Sequence, residues 1–146
     1  MPSLASFARL VPLDHGLSVV VTRRADLTPQ TSVVNAGVLG HPSTGVECVA
    51  FVSASTTRKL INPRKDPTIA VVIRAGWPWV SVEGRASLVG PDDPEPGVDD
   101  ERLRLLLREI FAAAGGTHDN WTKYDRTMKA ERRTAVLVVP HAVVSS

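Results

Sequence analysis

The stretch "FVSASTTRKLINPRKDPTIAVVI", residues 51 to 73, opens as an apolar run, turns hydroxyl-rich and basic, passes two prolines and ends apolar and β-branched. Its two ends read as strands, because aromatic and β-branched residues suit a pleated, half-buried surface. The middle predicts a short helix over 56–62, with the hydroxyls of 55 to 57 placed to satisfy the free backbone N–H groups at its start. Arg58 and Lys59 then fall at the positive end of the helix dipole, at a cost of about a few tenths of a kcal/mol each unless an anion offsets it. A phosphate there would gather backbone donors, a guanidinium and an ammonium together. An exposed basic turn with no ligand fits the same spacing.

Upstream, Ser3 can cap a short helix through about Val11 that puts Leu4, Phe7 and Val11 on one face before Pro12, an N-terminal lid. "LSVVVTRR" (17–24) and "QTSVVNAGVL" (30–39) flank a turn and read as a hairpin, and "VECVAFVSA" (46–54) reads as an alternating third strand. Downstream, "TIAVVIR" (68–74) and "WVSVEGRASLVG" (79–90) form a second hairpin across "AGWP", the latter bending at Gly84. "PDDPEPGVDD" (91–100) is an acidic linker ending in a capping aspartate. "ERLRLLLREIFAAAGG" carries Leu103, Leu106, Leu107, Ile110 and Phe111 on one stripe and is a helix closed by Gly115. "DNWTKYDRTMKAE" is a second helix stacking Trp121, Tyr124 and Met128, and "RTAVLVVPHAVV" completes the β structure. Six strands with few helices predict an α+β fold, a six-stranded antiparallel split β-barrel, since closure removes exposed edges.

The 146 residues make one domain, 1–146, and 43% apolar with 22% charged residues are globular proportions. No basic leader and no apolar run near about 18 residues is present, so the expectation is a cytoplasmic protein with no membrane span. Cys48 is the single cysteine and cannot form an intrachain disulfide; its apolar neighbours place it in the core. His15, His41, His118 and His141 are far apart, without metal-ligand spacing. No phosphate-loop or dinucleotide fingerprint and no Ser-His-Asp or Cys-His signature occurs, and Asp92 and Asp93 read as solvated linker acids. Arginines outnumber lysines, 13 to 4, which favours bidentate anion recognition, whereas 5% aromatics is poor provision for stacking nucleic-acid bases.

"FVSASTTRKLINPRKDP" resembles the phosphate-binding strand-and-helix segment of the flavin-binding split-barrel superfamily, the pyridoxamine-phosphate-oxidase-like proteins. "VVVTRRADLTPQTSVVN" is similar to that superfamily's first hairpin, "PWVSVEGRASLV" to its long strand, and "GGTHDNWTKYDRTMKAERRTAVLVVPHAV" to the C-terminal part of its actinobacterial branch that uses the deazaflavin coenzyme F-420. The resemblance implies that Arg58 and Lys59 hold the cofactor phosphate, that Thr57 and Ser55 help from the strand end, and that Asn62 fixes the helix end. It places Gln30, Ser32, Val33, Val34 and Asn35 along the ring system, and Trp77 and Trp79 near the cofactor from the partner subunit's half of a cleft, hence in a homodimer. Core or dimer packing explains the two tryptophans equally well, and helix packing explains Trp121 and Tyr124 better than ligand contact does.

The chain ends in "HAVVSS" without the Arg- and His-containing tail of the pyridoxamine-phosphate oxidases, so that activity is not expected. The implied function is a coenzyme F-420-dependent oxidoreductase passing hydride to an unsaturated small-molecule acceptor such as a quinone, an enone or a tetrapyrrole. An FMN-binding reductase, or a non-catalytic flavin or F-420 carrier, is the alternative. Arg64, Lys65, Arg74, Arg126, Arg132 and Arg133 supply cations beyond those a phosphate needs, as a polyanionic cofactor tail would require.

Overall fold

In the computed structural model, which describes residues 2–146, seven strands form one antiparallel sheet in the order β2-β1-β5-β6-β7-β4-β3. The strands are β1 (Leu17–Arg23), β2 (Pro29–Asn35), β3 (Gly37–Gly40), β4 (Glu47–Ala54), β5 (Thr68–Arg74), β6 (Trp79–Val89) and β7 (Arg133–Ser145). Four helices accompany them: α1 (Ala5–Leu10), α2 (Arg58–Lys65), α3 (Asp100–Ala113) and α4 (Trp121–Ala130).

Seven strands replace the six expected because the run 30–39 is two strands. Its parts end up on opposite edges of the sheet, β2 beside β1 and β3 beside β4, joined only through Ala36. The sheet is therefore not closed. A single residue cannot reverse the chain, so β2 and β3 continue past one another and cannot form a ladder. Ala36 is fully buried, and its N–H donates to the Gly16 carbonyl at 2.9 Å. At Gly16, with φ +65°, a Cβ would lie 2.1 Å from the Ala36 carbonyl oxygen, so glycine is required at that crossing.

The expected alternation of β4 is observed, with both of its faces buried. Val49 and Phe51 enter the core inside the curled sheet, together with Leu4, Phe7, Val20, Val71, Val136 and Val138. Cys48 and Ala50 enter a second core between the sheet and α3 and α4, with Leu106, Leu107, Ile110, Tyr124 and Leu137. A strand covered on both faces reads as a continuous apolar run. The bend in β6 is a bulge between Glu83 and Gly84, where a Cβ on Gly84 would come within 2.1 Å of the Val139 carbonyl oxygen.

α3 starts one residue earlier than its sequence predicts: Asp99, not Asp100, is the cap and accepts from the Arg102 N–H at 2.8 Å, and Asp100 is the first helical residue. Asn120 plays the same part for α4, accepting from Lys123 N–H at 3.1 Å. α2 begins two residues later than expected and runs three further, through Pro63 to Lys65. No helix among the described residues is long and apolar enough to cross a membrane.

Candidate functional site

α2 begins without a side-chain cap. Thr57 occupies the cap position with extended backbone, yet its hydroxyl turns back to the strand end, donating to the Ala54 carbonyl at 3.0 Å and lying 2.8 Å from Ser53 Oγ. The expected hydroxyl cap is thus not formed, because β4 supplies nearer partners. The first turn of α2 contains no acidic residue. Arg23, Arg64, Arg102, Arg104, Arg108, Arg132 and Arg133 each pair with a carboxylate, whereas Arg58 and Lys59, like Arg9, Arg24, Lys65, Arg74, Arg85, Lys123, Arg126 and Lys129, enter no ion pair among the described residues. Two uncompensated cations at an uncapped helix start are a donor set suited to a phosphate.

Ser55 is buried directly before this turn, and its hydroxyl is already engaged. It donates to Asp92 Oδ2 at 2.6 Å and accepts from Arg64 Nη2 at 2.8 Å, while Arg64 Nη1 donates to the Ser55 carbonyl at 2.9 Å. Arg64 also grips Asp93 through Nε at 2.8 Å and Nη2 at 2.6 Å. Arg132 holds Asp92 through Nη2 at 2.5 Å and Nε at 3.2 Å. The Arg132 guanidinium first, and the Ser55 hydroxyl second, hold the Asp92 carboxyl at about 2, well below the usual carboxylate range. Asp92 and Asp93 are accordingly fixed members of a network and not merely solvated linker acids. Its members come from the turn after β4, α2, the linker and the turn before β7, so no local sequence signal could have assembled it.

Asn62 is buried within α2, and Nδ2 donates to Thr22 Oγ1 of β1 at 3.1 Å. Its main-chain carbonyl closes the helix end by accepting from Asp66 N–H at 2.9 Å. The side chain pins α2 to the sheet.

The β2 residues divide between two faces, as strand geometry demands. Gln30, Ser32 and Val34 turn inward, and Val34 is 8% exposed and belongs to the core, whereas Val33 is 64% exposed and faces out. Gln30 Oε1 accepts from Arg24 Nη2 at 2.6 Å, and Asn35 Nδ2 donates to the His15 carbonyl at 2.8 Å. Val33 begins a lateral row, Val33–Val19–Val72–Ser81–Val144, that crosses five strands. Val19 and Val144 in that row are also exposed, and a groove of about 680 Å³ lies against the face, lined by Leu17, Val19, Val33, Val72 and Arg74 among others.

Trp77 is 87% exposed in the β5–β6 turn beside this groove, and half-buried Trp79 opens β6. They stand at the end of β5 remote from α2, whose C-terminal side meets β1 through the Arg23–Asp66 ion pair at 2.8 Å. One chain therefore does not bring Trp77 and Trp79 to Arg58 and Lys59.

Of the surplus cations, Arg64, Arg132 and Arg133 already hold Asp93, Asp92 and Glu131. A second groove of about 540 Å³, between α3 and α4, is lined by Arg126, Lys129, Arg132 and Arg133 over Leu107 and Met128, among others. Trp121 and Tyr124 pack with Phe111 and His118; the Tyr124 hydroxyl donates to the Leu107 carbonyl at 3.0 Å, and burial pushes it up to about 12. Burial likewise raises the Cys48 thiol to about 11, which keeps it protonated and unreactive. Among the described residues no cluster of His, Cys, Asp or Glu is arranged as metal ligands.

By sequence, the chain matches no protein-family profile and no curated protein. By structure it is similar to a conserved hypothetical protein of Mycobacterium tuberculosis, with 18% identity over 99% of this chain and 84% of that one, at a TM-score of 0.68. An F-420 reductase matches with 16% identity over 99% of this chain and 98% of that one, at a TM-score of 0.63. A pyridoxamine 5'-phosphate oxidase-related, FMN-binding protein of Nostoc punctiforme matches with 12% identity over 97% and 79%, at a TM-score of 0.62. Two further matched structures are longer, and the chain spans 57% and 55% of them. At such identities it is the fold that is shared: the chain has the split-barrel fold of the pyridoxamine-phosphate-oxidase-like, FMN-binding proteins.

Proposed function

We propose that this chain is a coenzyme F-420-dependent oxidoreductase that reduces an unsaturated small-molecule acceptor, with FMN as the alternative cofactor. The observation that carries the reading is the uncapped start of α2 with Arg58 and Lys59 unpaired, on a fold that an F-420 reductase and an FMN-binding protein also adopt. Those donors fit a phosphate, which both cofactors present. When bound, the reduced ring supplies hydride to the acceptor, so the protein need only bind, orient and exclude water. Arg58 and Lys59 anchor the phosphate, and the exposed apolar row of β2, β1, β5 and β7 offers a dry wall.

That row is also the surface on which a second copy would pack, which makes the working form a homodimer with a cleft completed between copies. The separation of Trp77 and Trp79 from α2 within one chain supports this arrangement. Sedimentation of Val19→Lys/Val33→Glu beside the unaltered protein tests it; a monomeric unaltered protein that still binds cofactor tightly overturns it.

Titration of the purified protein with F-420 and FMN, at low and high ionic strength, tests the cofactor. F-420 is expected to bind more tightly, with a preference that shrinks as salt screens its extra charges. Equal binding of FMN at low salt transfers the reading to a flavin-dependent reductase or carrier, and binding of neither removes it. Acceptor-dependent oxidation of the bound, reduced cofactor separates a reductase from a carrier.

A further inference from the structure

α3 and α4 cover the second core with Leu106, Leu107, Ile110 and Tyr124, yet they leave a groove between them. At about 540 Å³ it lies within the range of about 300–1,000 Å³ typical of small-molecule sites. Its floor is apolar. Leu107 is buried, while Leu103 and Met128 pack against the core and stay half-buried, so apolar surface remains open to the groove.

Most of the charges lining the groove are already matched. Arg104 holds Glu101 and, with Arg108, Asp125, whereas Arg132 holds Asp92 and Arg133 holds Glu131. Among the described residues, Arg126 and Lys129 line the groove without an ion pair, and Asp100 is the one lining carboxylate left unpaired. Two cations against one carboxylate leave one positive charge in excess. Arg126 and Lys129 stand three residues apart on α4, so their heads share one helical face, and their long stems can lie on apolar surface with the charge in water.

The complement of an apolar floor with a single excess positive charge is a molecule with an apolar body and one negative head. A polyanion would meet the Asp100 carboxylate and leave the floor wet, and an apolar cation would face Arg126 and Lys129. We propose that the α3–α4 groove binds an amphipathic monoanion of the alkyl monocarboxylate class, its chain on Leu103, Leu107 and Met128 and its carboxylate at Arg126 and Lys129. Burial of the chain supplies most of the affinity, and the exposed cations select the head group. The inference stands apart from the cofactor reading, since it uses neither Arg58 nor Lys59.

Met128 is one of two methionines, so methyl NMR of the full chain labelled at methionine reports on the floor directly, with Met128→Leu identifying the signal. Decanoate, titrated below the concentration at which it forms micelles, should move the Met128 methyl signal to saturation. Hexanoate should bind at least about ten-fold more weakly, because fewer methylenes leave water. Arg126→Gln/Lys129→Gln should weaken decanoate binding about three- to ten-fold with an unchanged unfolding temperature. Either single change, with about a two- to three-fold loss, replaces the double variant should that lower the unfolding temperature. Decyltrimethylammonium, with the same chain and a cationic head, should leave the signal in place. A Met128 signal that decanoate does not move overturns the proposal. So does equal decanoate binding by the folded glutamine variants, or a shift with decyltrimethylammonium as large as that with decanoate.

Discussion

Replacing Asn62 by alanine separates a residue that holds the site in place from one that touches the ligand. The side chain is 6% exposed and donates at 3.1 Å to the hydroxyl of Thr22, itself 1% exposed, so no water can replace the lost donor without opening the α2–β1 contact. A neutral hydrogen bond contributes about 1 kcal/mol net, and leaving a buried polar group unpaired costs about 1–3 kcal/mol. Asn62→Ala should therefore destabilise the fold by about 2 kcal/mol, which for a chain of this size lowers the unfolding temperature by about 4–8 °C. Thr22→Val removes the acceptor, and the double variant should lose about 1 kcal/mol less than the two single changes together.

Urea denaturation of the four proteins measures the stability effects. Cofactor titration at a temperature where all are folded measures the rest, and there Asn62→Ala should weaken binding much less than Arg58→Ala. An affinity loss equal to that of Arg58→Ala, with unchanged stability and no coupling to Thr22, would refute the structural assignment and put the Asn62 amide on the ligand.

Arg58→Ala and Lys59→Ala should each weaken cofactor binding by about 1–3 kcal/mol, as expected for a lost charge-assisted hydrogen bond, and leave the unfolding temperature unchanged; calorimetric titration and a thermal melt check both. Gly84→Ala should destabilise the fold by at least about 2 kcal/mol in urea, because its Cβ meets the Val139 carbonyl oxygen in the middle of the β6–β7 ladder. Asp125 carries an acid-sensitive contact: Arg108 first, and Arg104 with it, depress its carboxyl below the ordinary value. The folded pKa lies below the unfolded one, so the stabilisation is full above about pH 4 and is lost as pH falls through the folded value. Asp125→Asn should thus be less stable than the unaltered protein at pH 6, and the difference should close toward pH 2 in urea unfolding curves.

Most of the elements were legible because their periodicity is local. The stripe of Leu103, Leu106, Leu107, Ile110 and Phe111 defines α3, and the β-branched runs of 17–24, 68–74 and 79–90 define strands whatever they pair with. The step from hydroxyls to Arg58 and Lys59 is likewise local, since a basic pair at a helix start is unfavourable in any context without an anion. Other features depended on which distant segments meet. Alternation cannot tell a strand covered on one face from one covered on both, so the double burial of β4 awaited α3 and α4. The division of residues 30–39 at Ala36 depended on β2 and β3 finding partners on opposite edges of the sheet. The seat of Asp92 on Ser55 and Arg132 was least legible, because ion-pair choice is set by proximity in space and each of these residues has nearer charged or polar neighbours along the chain. Sequence therefore determined the elements and the basic start of α2, where the governing interactions span a few residues. Tertiary structure alone decided which faces are buried and which carboxylate meets which arginine, since those contacts exist only once the sheet has curled.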